Sequence, residues 1–307
     1  MIAFFEALQA VATIAILMVV GFLLQKTGKI DEKISGFISF FVVNITLPCS
    51  AFKNITTSLT KESFREIPIY VISIIVSQLL SVGAAYIMTK LFKINDDIKG
   101  SFMALTAFNN TIFMGLPVNV ALFGEESSLI VLYYYVASMI LFWTLGIRLI
   151  AGKSKMTKVK LPPTIYVIAF SFLVVLLISC TDFEIPSFVS KTTSNFAAMT
   201  TPLSMIYTGY ALGSFGIKNI RINRSVSLGL IARFIVSPAI FLLIVSVLPI
   251  SPLAKNVFTV QAFMPVMASQ TIIARRYNVD DRYPAVMVAI STLLSLIIIP
   301  LIKVLIV

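Results

Sequence analysis

The chain of 307 residues has no histidine, two cysteines and one tryptophan. Cys49 and Cys180 both lie in apolar stretches, so we expect neither a disulfide framework nor a metal cluster, and no cofactor. Aspartate and glutamate are scarce, and we expect none near the middle of a membrane span. Proteolysis inside a membrane needs paired aspartates, a serine–histidine pair or a metal site, so the sequence argues against an enzyme. A sodium/proton antiporter would likewise need buried carboxylates.

Hydrophobic residues are abundant. They make up 58% of the chain, charged residues make up only 12%, and the mean hydropathy is +0.99. A water-soluble domain of this length would expose part of that apolar surface, whereas a bilayer hides it. The net charge of +11 is spread over the connections, so we expect a lipid bilayer, and no nucleic acid, as partner.

Segments of about 20 apolar residues predict ten transmembrane helices. They lie at 4–24, 34–52, 68–92, 100–124, 129–151, 163–180, 194–215, 225–248, 254–276 and 284–306. The first is too long and too weakly basic at its start for a secretory signal, so we expect a mature helix. Basic residues concentrate in the connections that are cytoplasmic if the N-terminus is outside. This bias predicts a multi-pass protein of the cell membrane with both termini extracytoplasmic.

Two short motifs recur at similar spacing in the two halves of the chain. Asn-Ile-Thr-Leu-Pro48-Cys-Ser parallels Ala-Met-Thr-Thr-Pro202-Leu-Ser, and Met114-Gly-Leu-Pro117-Val parallels Ala262-Phe-Met-Pro265-Val. The pattern predicts two five-helix repeats, at 1–151 and 162–307. Since five is odd, the second repeat must be inverted. Chance alignment of prolines, which are common in transmembrane helices, is the alternative.

Two predicted helices, 100–124 and 254–276, are interrupted near the middle by polar residues and a proline. An unpaired backbone amide is costly inside a bilayer, so such a break persists only where its freed groups face protein, water or a ligand. Two breaks in matching places are typical of a transporter. A half-helix starting after Pro117 or Pro265 would present free N–H groups and a partial positive charge, which suits a carboxylate.

The string Asn110-Thr-Ile-Phe-Met-Gly-Leu-Pro117 resembles the fourth-helix signature of the auxin efflux carrier family. That family includes the plant PIN-formed carriers and bacterial permeases for small dicarboxylates such as malonate and malate. Ala232-Arg-Phe-Ile-Val-Ser-Pro-Ala239, Ala274-Arg-Arg-Tyr-Asn-Val279 and the prolines Pro48 and Pro202 are similar to the same family. The long central loop of many plant carriers is missing, which favours a microbial permease of the malonate/malate type.

The resemblance implies an all-α membrane protein of ten transmembrane helices in two inverted five-helix repeats. Helices four and nine would be broken and cross near the membrane centre, as in the NhaA/bile-acid-transporter-like fold. Helices 1, 2, 6 and 7 would form a scaffold, and helices 3–5 and 8–10 a transport domain that moves like an elevator. The related fold often dimerises through the scaffold, so the sequence leaves open whether this protein forms a homodimer. The predicted function is secondary transport of a small organic acid anion, such as a dicarboxylate or an auxin-like carboxylate.

Asn110 matches the asparagine of the family signature that contacts the substrate at the crossover. Its amide can donate to a carboxylate without bringing a charge into the bilayer. The other candidates for substrate binding are Asn109, Thr111, Asn119, Gln261, Ser269, Gln270 and Asn44, with Thr46, Thr200, Thr201 and Gln78 as weaker ones. Each could instead form a helix cap or a helix–helix hydrogen bond. Pro117, Pro265, Gly115, Pro48 and Pro202 are expected to be architectural.

Arg233 is the one clearly intramembrane charge in the sequence. Its side chain could snorkel to the interface, have a structural role in helix packing, or face the cavity and attract an anion. Two functional alternatives stay open. A sodium-coupled symporter of the bile-acid type could hold its ion with amides and freed carbonyls, and a non-transporting membrane receptor is less favoured.

Overall fold

The computed structural model describes residues 2–58, 61–152, 185–214, 222–267 and 269–306. Within these ranges all regular structure is helical apart from one isolated antiparallel bridge. Five helices are long and apolar enough to cross a membrane: Glu32–Lys53, Glu66–Leu91, Ser127–Ala151, Arg224–Ser246 and Arg282–Val304. The predicted all-α membrane class is confirmed at this level. The predicted span 163–180, with Cys180, lies outside the described residues.

The helices follow the predicted spans closely. The first half contains α1 (Ile2–Lys26), α2 (Glu32–Phe41), α3 (Leu47–Ser58), α4 (Lys61–Leu91), α5 (Asp96–Ala107), α6 (Leu116–Phe123), α7 (Ser127–Leu141) and α8 (Ile147–Ala151). The second half contains α9 (Ser187–Ala198), α10 (Thr200–Ser214), α11 (Arg224–Ile231), α12 (Ser237–Ser246), α13 (Pro252–Ala262), α14 (Ser269–Arg276) and α15 (Arg282–Ile306).

The predicted span 194–215 is divided in the structure, because α9 ends at Ala198 and α10 begins at Thr200. Pro202 explains the division. Its nitrogen carries no hydrogen for the carbonyl of Ala198, four residues earlier, and its ring clashes with that carbonyl. In the first turn of α10 the missing N–H costs nothing, since helices leave those donors unpaired.

Prolines also explain three of the π-helical turns. The turns Val42–Thr46, Thr111–Gly115 and Ala232–Val236 each end two residues before a proline, at positions 48, 117 and 238. A wider turn before the proline relieves the clash with the carbonyl four residues earlier. The helices at 32–58 and 224–246 therefore continue through their prolines. A further π turn, Phe142–Gly146, joins α7 to α8.

Two helix groups frame the centre of the molecule. In one, α1 lies against α10 at backbone contact: a Cβ on Gly21 would overlap the carbonyl of Ile206, and a Cβ on Gly209 the carbonyl of Met18. Small residues allow helices in membranes to approach this closely. In the other, α4, α7, α12 and α13 pack around aromatic rings, with the Phe258 ring centroid 5.2 Å from that of Tyr70.

The repeated proline motifs of the two halves meet in space. Thr200 Oγ1 donates to Thr46 Oγ1 at 3.0 Å, although the two residues are 154 positions apart. Each threonine lies two residues before the proline of its motif, Pro48 or Pro202. The two residues that the sequence alignment pairs are therefore neighbours in the fold.

Candidate functional site

The two interrupted helices break where they cross each other. The first break covers residues 108–110, and the second includes residues 263–267. Asn109 and Val266 form the antiparallel bridge, the N–H of Asn110 donates to the carbonyl of Pro265 at 2.8 Å, and the N–H of Met267 donates to the carbonyl of Phe108 at 3.4 Å. Backbone groups freed from one helix thus pair with those of the other, which reduces the cost of breaking both.

Pro117 does not mark the first break, contrary to the sequence expectation. The half-helix already begins with the turn Thr111–Gly115, and Pro117 is the second residue of α6. Its missing N–H leaves the carbonyl of Phe113 without a helical donor. That carbonyl lies 3.3 Å from Thr208 Oγ1 of α10, which shares its single hydrogen with the Ser204 carbonyl of its own helix at 2.8 Å. Pro265, by contrast, lies inside its break.

Asn109 and Asn110 are adjacent but make different contacts. The Asn109 side chain is fully buried: its Nδ2 donates to the Gln261 carbonyl and to Tyr134 Oη at 3.4 Å, and its Oδ1 accepts from Thr111 Oγ1 at 2.9 Å. Asn109 therefore joins the two breaks. The Asn110 side chain has no hydrogen-bond partner among the described residues and faces a cavity.

This cavity, of about 320 Å³, lies between the crossover and the helices α2, α7, α10 and α14. Its polar lining consists of Asn109, Asn110, Thr111, Ser39 and Ser269, together with the hydroxyl-bearing rings of Tyr135 and Tyr207. Its apolar lining consists of Val43, Ile112, Phe113, Met139, Phe142, Trp143, Met267, Ile272 and Ile273. None of these lining residues carries a charge. Each broken helix resumes after its break, one at Thr111 and the other at Ser269, and the first turns of these two half-helices face the cavity.

Four of the predicted binding residues do not line this cavity. Asn119 Nδ2 donates to the carbonyl of Gly115 at 2.7 Å, and Asn44 Nδ2 donates to the carbonyl of Phe40 at 2.9 Å, so each bonds within its own helix. Gln270 Nε2 reaches the carbonyls of Ala104 and Phe108 at 3.4 and 3.3 Å. The Gln261 side chain packs against Gly115, where a Cβ would overlap its amide.

Arg233 lies in the π turn Ala232–Val236 and is 1% exposed, so its side chain does not snorkel to the interface. Its Nε donates to the carbonyl of Met264 at 3.0 Å, its Nη1 to that of Thr106 at 2.8 Å and its Nη2 to that of Ala262 at 2.6 Å. These carbonyls belong to the C-terminal ends of α5 and α13 and to the second break. One guanidinium therefore caps both half-helices that enter the crossover.

Comparison with known proteins agrees with a transporter. A family model described as membrane transport protein matches residues 6–167 and 156–303. The chain belongs to this membrane transport protein family. The resemblance to the auxin efflux carriers is thereby confirmed.

Two members of the membrane transport protein family illustrate the relationship. An uncharacterized transporter of Methanocaldococcus jannaschii is 30% identical over 310 residues, which cover 96% of this chain and 97% of the relative. An uncharacterized transporter of Methanothermobacter thermautotrophicus is 24% identical over 308 residues, which cover 97% and 98%. The chain is therefore a membrane-integral transporter over essentially its whole length.

For this membrane transport protein, the sequence did not indicate the aromatic wall of the cavity. A local signal existed on one side: Tyr135 precedes Met139 by four residues, and Phe142 and Trp143 follow it by three and four, which places all four near one face of a helix. Tyr207 and Phe113 come from different halves of the chain, and their ring centroids are 4.5 Å apart. No sequence-local signal could have joined those two.

Proposed function

We propose that this protein is a secondary transporter that moves a small organic acid anion across the cell membrane. The free amide of Asn110 supports this most directly, because it lies in a cavity toward which two half-helix N-termini point. The N-terminal ends of helices attract anions, and an amide N–H donates to a carboxylate. Ser269 and Thr111 add hydroxyl groups beside it.

The lining of the cavity favours an acid with an apolar body. Trp143, Phe142 and Phe113 offer extensive ring surface, whereas arginine and lysine, which would match a second carboxylate, are absent from the described lining. Aromatic walls with a few placed polar groups are typical of sites for partly apolar ligands. Between the two predicted substrate types, the auxin-like monocarboxylate fits better than malonate or malate.

The arrangement of the cavity supports an elevator mechanism with ten helices in two inverted repeats. Ser39, Val43 and Tyr207 come from the predicted scaffold, and the other lining residues come from the predicted transport domain. Among the described residues, few polar contacts cross between these parts: Thr208 to the Phe113 carbonyl is one, and the Lys53–Glu125 ion pair at 3.3 Å is another. The rest of the boundary includes apolar packing, with Met18 and Met205 in one buried cluster with Met114 and Val118. A substrate held mainly by one part and moved along the other would cross the membrane with it.

Sodium-coupled symport draws no support from the crossover. The carbonyls that could hold an ion already accept hydrogen bonds: those of Thr106, Ala262 and Met264 from Arg233, and those of Ala104 and Phe108 from Gln270. A sodium ion would compete with the Arg233 guanidinium at the first three oxygens and with the neutral Gln270 amide at the other two.

Purified protein in liposomes tests the proposed function. Phenylacetate, benzoate, malonate and malate should be compared for stabilisation against heating and for uptake, with protein-free liposomes as the background. We expect phenylacetate to stabilise and to be taken up faster than malonate. Asn110→Ala should lower its affinity about 10- to 100-fold, the usual range for losing a hydrogen bond to a charged group.

Asn195→Ala is the matched control, because Asn195 is exposed on α9 and outside the cavity. It should behave like the wild type in both measurements. If no carboxylate stabilises the wild type and none is taken up, the proposed substrate class is wrong. If Asn110→Ala binds phenylacetate as the wild type does, the proposed site is wrong.

A further inference from the structure

Arg233 brings a full positive charge to the crossover. Its side chain is buried, all three of its nitrogens donate to backbone carbonyls, and no acidic side chain pairs with it among the described residues. Hydrogen bonds to neutral carbonyls stabilise the charge without cancelling it. The crossover therefore carries one uncompensated positive charge.

The helix ends distribute that charge toward the cavity. Each helix end carries about half an elementary charge, negative at the C-terminus and positive at the N-terminus. The guanidinium of Arg233 lies at the two C-terminal ends, those of α5 and α13, and offsets both. The two N-terminal ends, at Thr111 and Ser269, then face the cavity, and no lining residue that the structure describes is acidic. Together they amount to about one positive charge.

We infer that Arg233 is the countercharge of the substrate and that it travels with the transport domain. With one carboxylate bound the moving centre is neutral, and when empty it carries one positive charge. This inference deepens the proposed function and rests on it, because it assumes that the transport domain moves an anion. It adds a rule on charge: a singly charged anion neutralises the positive charge of the centre, whereas a dianion leaves the loaded centre negative.

This charge rule makes one half of the transport cycle sensitive to voltage. A neutral loaded centre crosses the membrane field without electrical work, but the empty centre returns with a positive charge. Exchange of one anion for another uses the loaded step alone when both sides are saturated. The rate of exchange should therefore not change with the membrane potential. The rate of net uptake should change with it by up to about 50-fold per 100 mV.

The test uses protein in liposomes whose potential is set by a potassium gradient and valinomycin. Radiolabelled phenylacetate is followed in two modes, exchange against saturating internal phenylacetate and net uptake into empty vesicles. Arg233→Gln removes the charge, Arg233→Lys keeps it, and Arg148→Gln is the matched control because Arg148 is exposed at the end of α8. In parallel, voltage steps on planar bilayers record charge movement of the protein without any carboxylate.

We expect exchange to change less than twofold over 100 mV in the wild type, Arg233→Lys and Arg148→Gln, and severalfold in Arg233→Gln. Charge movement of the empty protein should be present in the first three and absent from Arg233→Gln. If Arg233→Gln does not fold, the difference between exchange and net uptake in the wild type decides alone.

Voltage-sensitive exchange in the wild type, or empty-protein charge movement that survives Arg233→Gln, would overturn the inference. Absence of phenylacetate flux with the charge movement intact would refute the proposed substrate while supporting the role of Arg233. Absence of both would refute the inference and the proposed function together.

Discussion

Asn109 and Asn110 show how neighbouring residues of one type take different roles. The backbone turns tightly at Asn110 (φ −82°, ψ 71°), where the N–H of Thr111 donates to the carbonyl of Asn109 at 3.0 Å. Both residues line the cavity, but the Asn109 side chain bonds the Gln261 carbonyl, whereas the Asn110 side chain has no hydrogen-bond partner among the described residues. We therefore expect Asn109 to determine stability and Asn110 to determine binding.

Asn109→Ala should lower the thermal stability of the protein. The substitution leaves the Gln261 carbonyl and the Thr111 hydroxyl without this partner in a buried place, which costs about 1–3 kcal/mol per unsatisfied group. Thermal unfolding in detergent should show a midpoint several degrees below that of the wild type and of Asn195→Ala. An unchanged midpoint would mean that Asn109 does not hold the breaks together.

The sequence identified the prolines that disturb helices, but it did not predict the kind of disturbance that each one causes. It predicted a half-helix that begins after Pro117, but the break lies several residues earlier, at 108–110. A proline disturbs the helix through the carbonyl four residues before it, and a π turn can absorb that disturbance without a break. Whether a helix bends, widens or breaks depends on partners such as Val266, which come from distant parts of the chain.

At the scale of elements, the residue four positions before Pro117 connects the broken helix to α10, a helix of the predicted scaffold. Because Pro117 has no backbone N–H, the carbonyl of Phe113 is available to Thr208 of α10. The Phe113 ring also stacks on Tyr207 of the same helix. The second half of the broken helix therefore contacts α10 through both the backbone and the side chain of Phe113.

Thr208→Val should weaken this contact with little change in shape. A hydrogen bond of this kind contributes about 0.5–1.5 kcal/mol, so the balance between transport-domain positions should shift and phenylacetate exchange should change about two- to tenfold. Pro117→Ala should shift exchange in the same direction, since the restored N–H competes for the same carbonyl. Thr144→Val is the control, because its hydroxyl makes the same bond to a carbonyl four residues earlier in its own helix as Thr208 does, but no bond between helices among the described contacts. Opposite shifts in Thr208→Val and Pro117→Ala would refute the shared role of the Phe113 carbonyl.

At the scale of the whole molecule, the all-helical membrane class could be predicted and the cavity could not. Ten apolar segments and repeated prolines are local features of the sequence, and the meeting of Thr46 with Thr200 agrees with the repeat that they predict. The cavity wall is built from α2, α7, α10 and α14 together. Its composition depends on which helix faces come together, and that is settled by packing over the entire chain. Gln270 illustrates this, since its position relative to α5 makes it a cap on the Phe108 carbonyl.

An elevator motion requires contacts between scaffold and transport domain to break in each cycle, and the Lys53–Glu125 ion pair offers a direct test. Lys53 lies on α3 of the predicted scaffold, and Glu125 lies on the connection after α6 in the predicted transport domain. A carbodiimide joins an amine and a carboxylate in contact by an amide bond. We expect this cross-link to leave stabilisation by phenylacetate intact but to reduce phenylacetate exchange by at least tenfold in the cross-linked fraction, quantified by peptide mass spectrometry.

Lys53→Arg is the matched control for this prediction. Its guanidinium keeps the charge but is unreactive toward the activated carboxylate, so exchange should survive the reagent. The ion pair itself is largely exposed, with side chains 30% and 61% accessible, so removing it should cost little stability. If the covalently joined protein exchanges phenylacetate as fast as the untreated protein, α3 and the connection after α6 move together, and the transport domain does not slide along this scaffold.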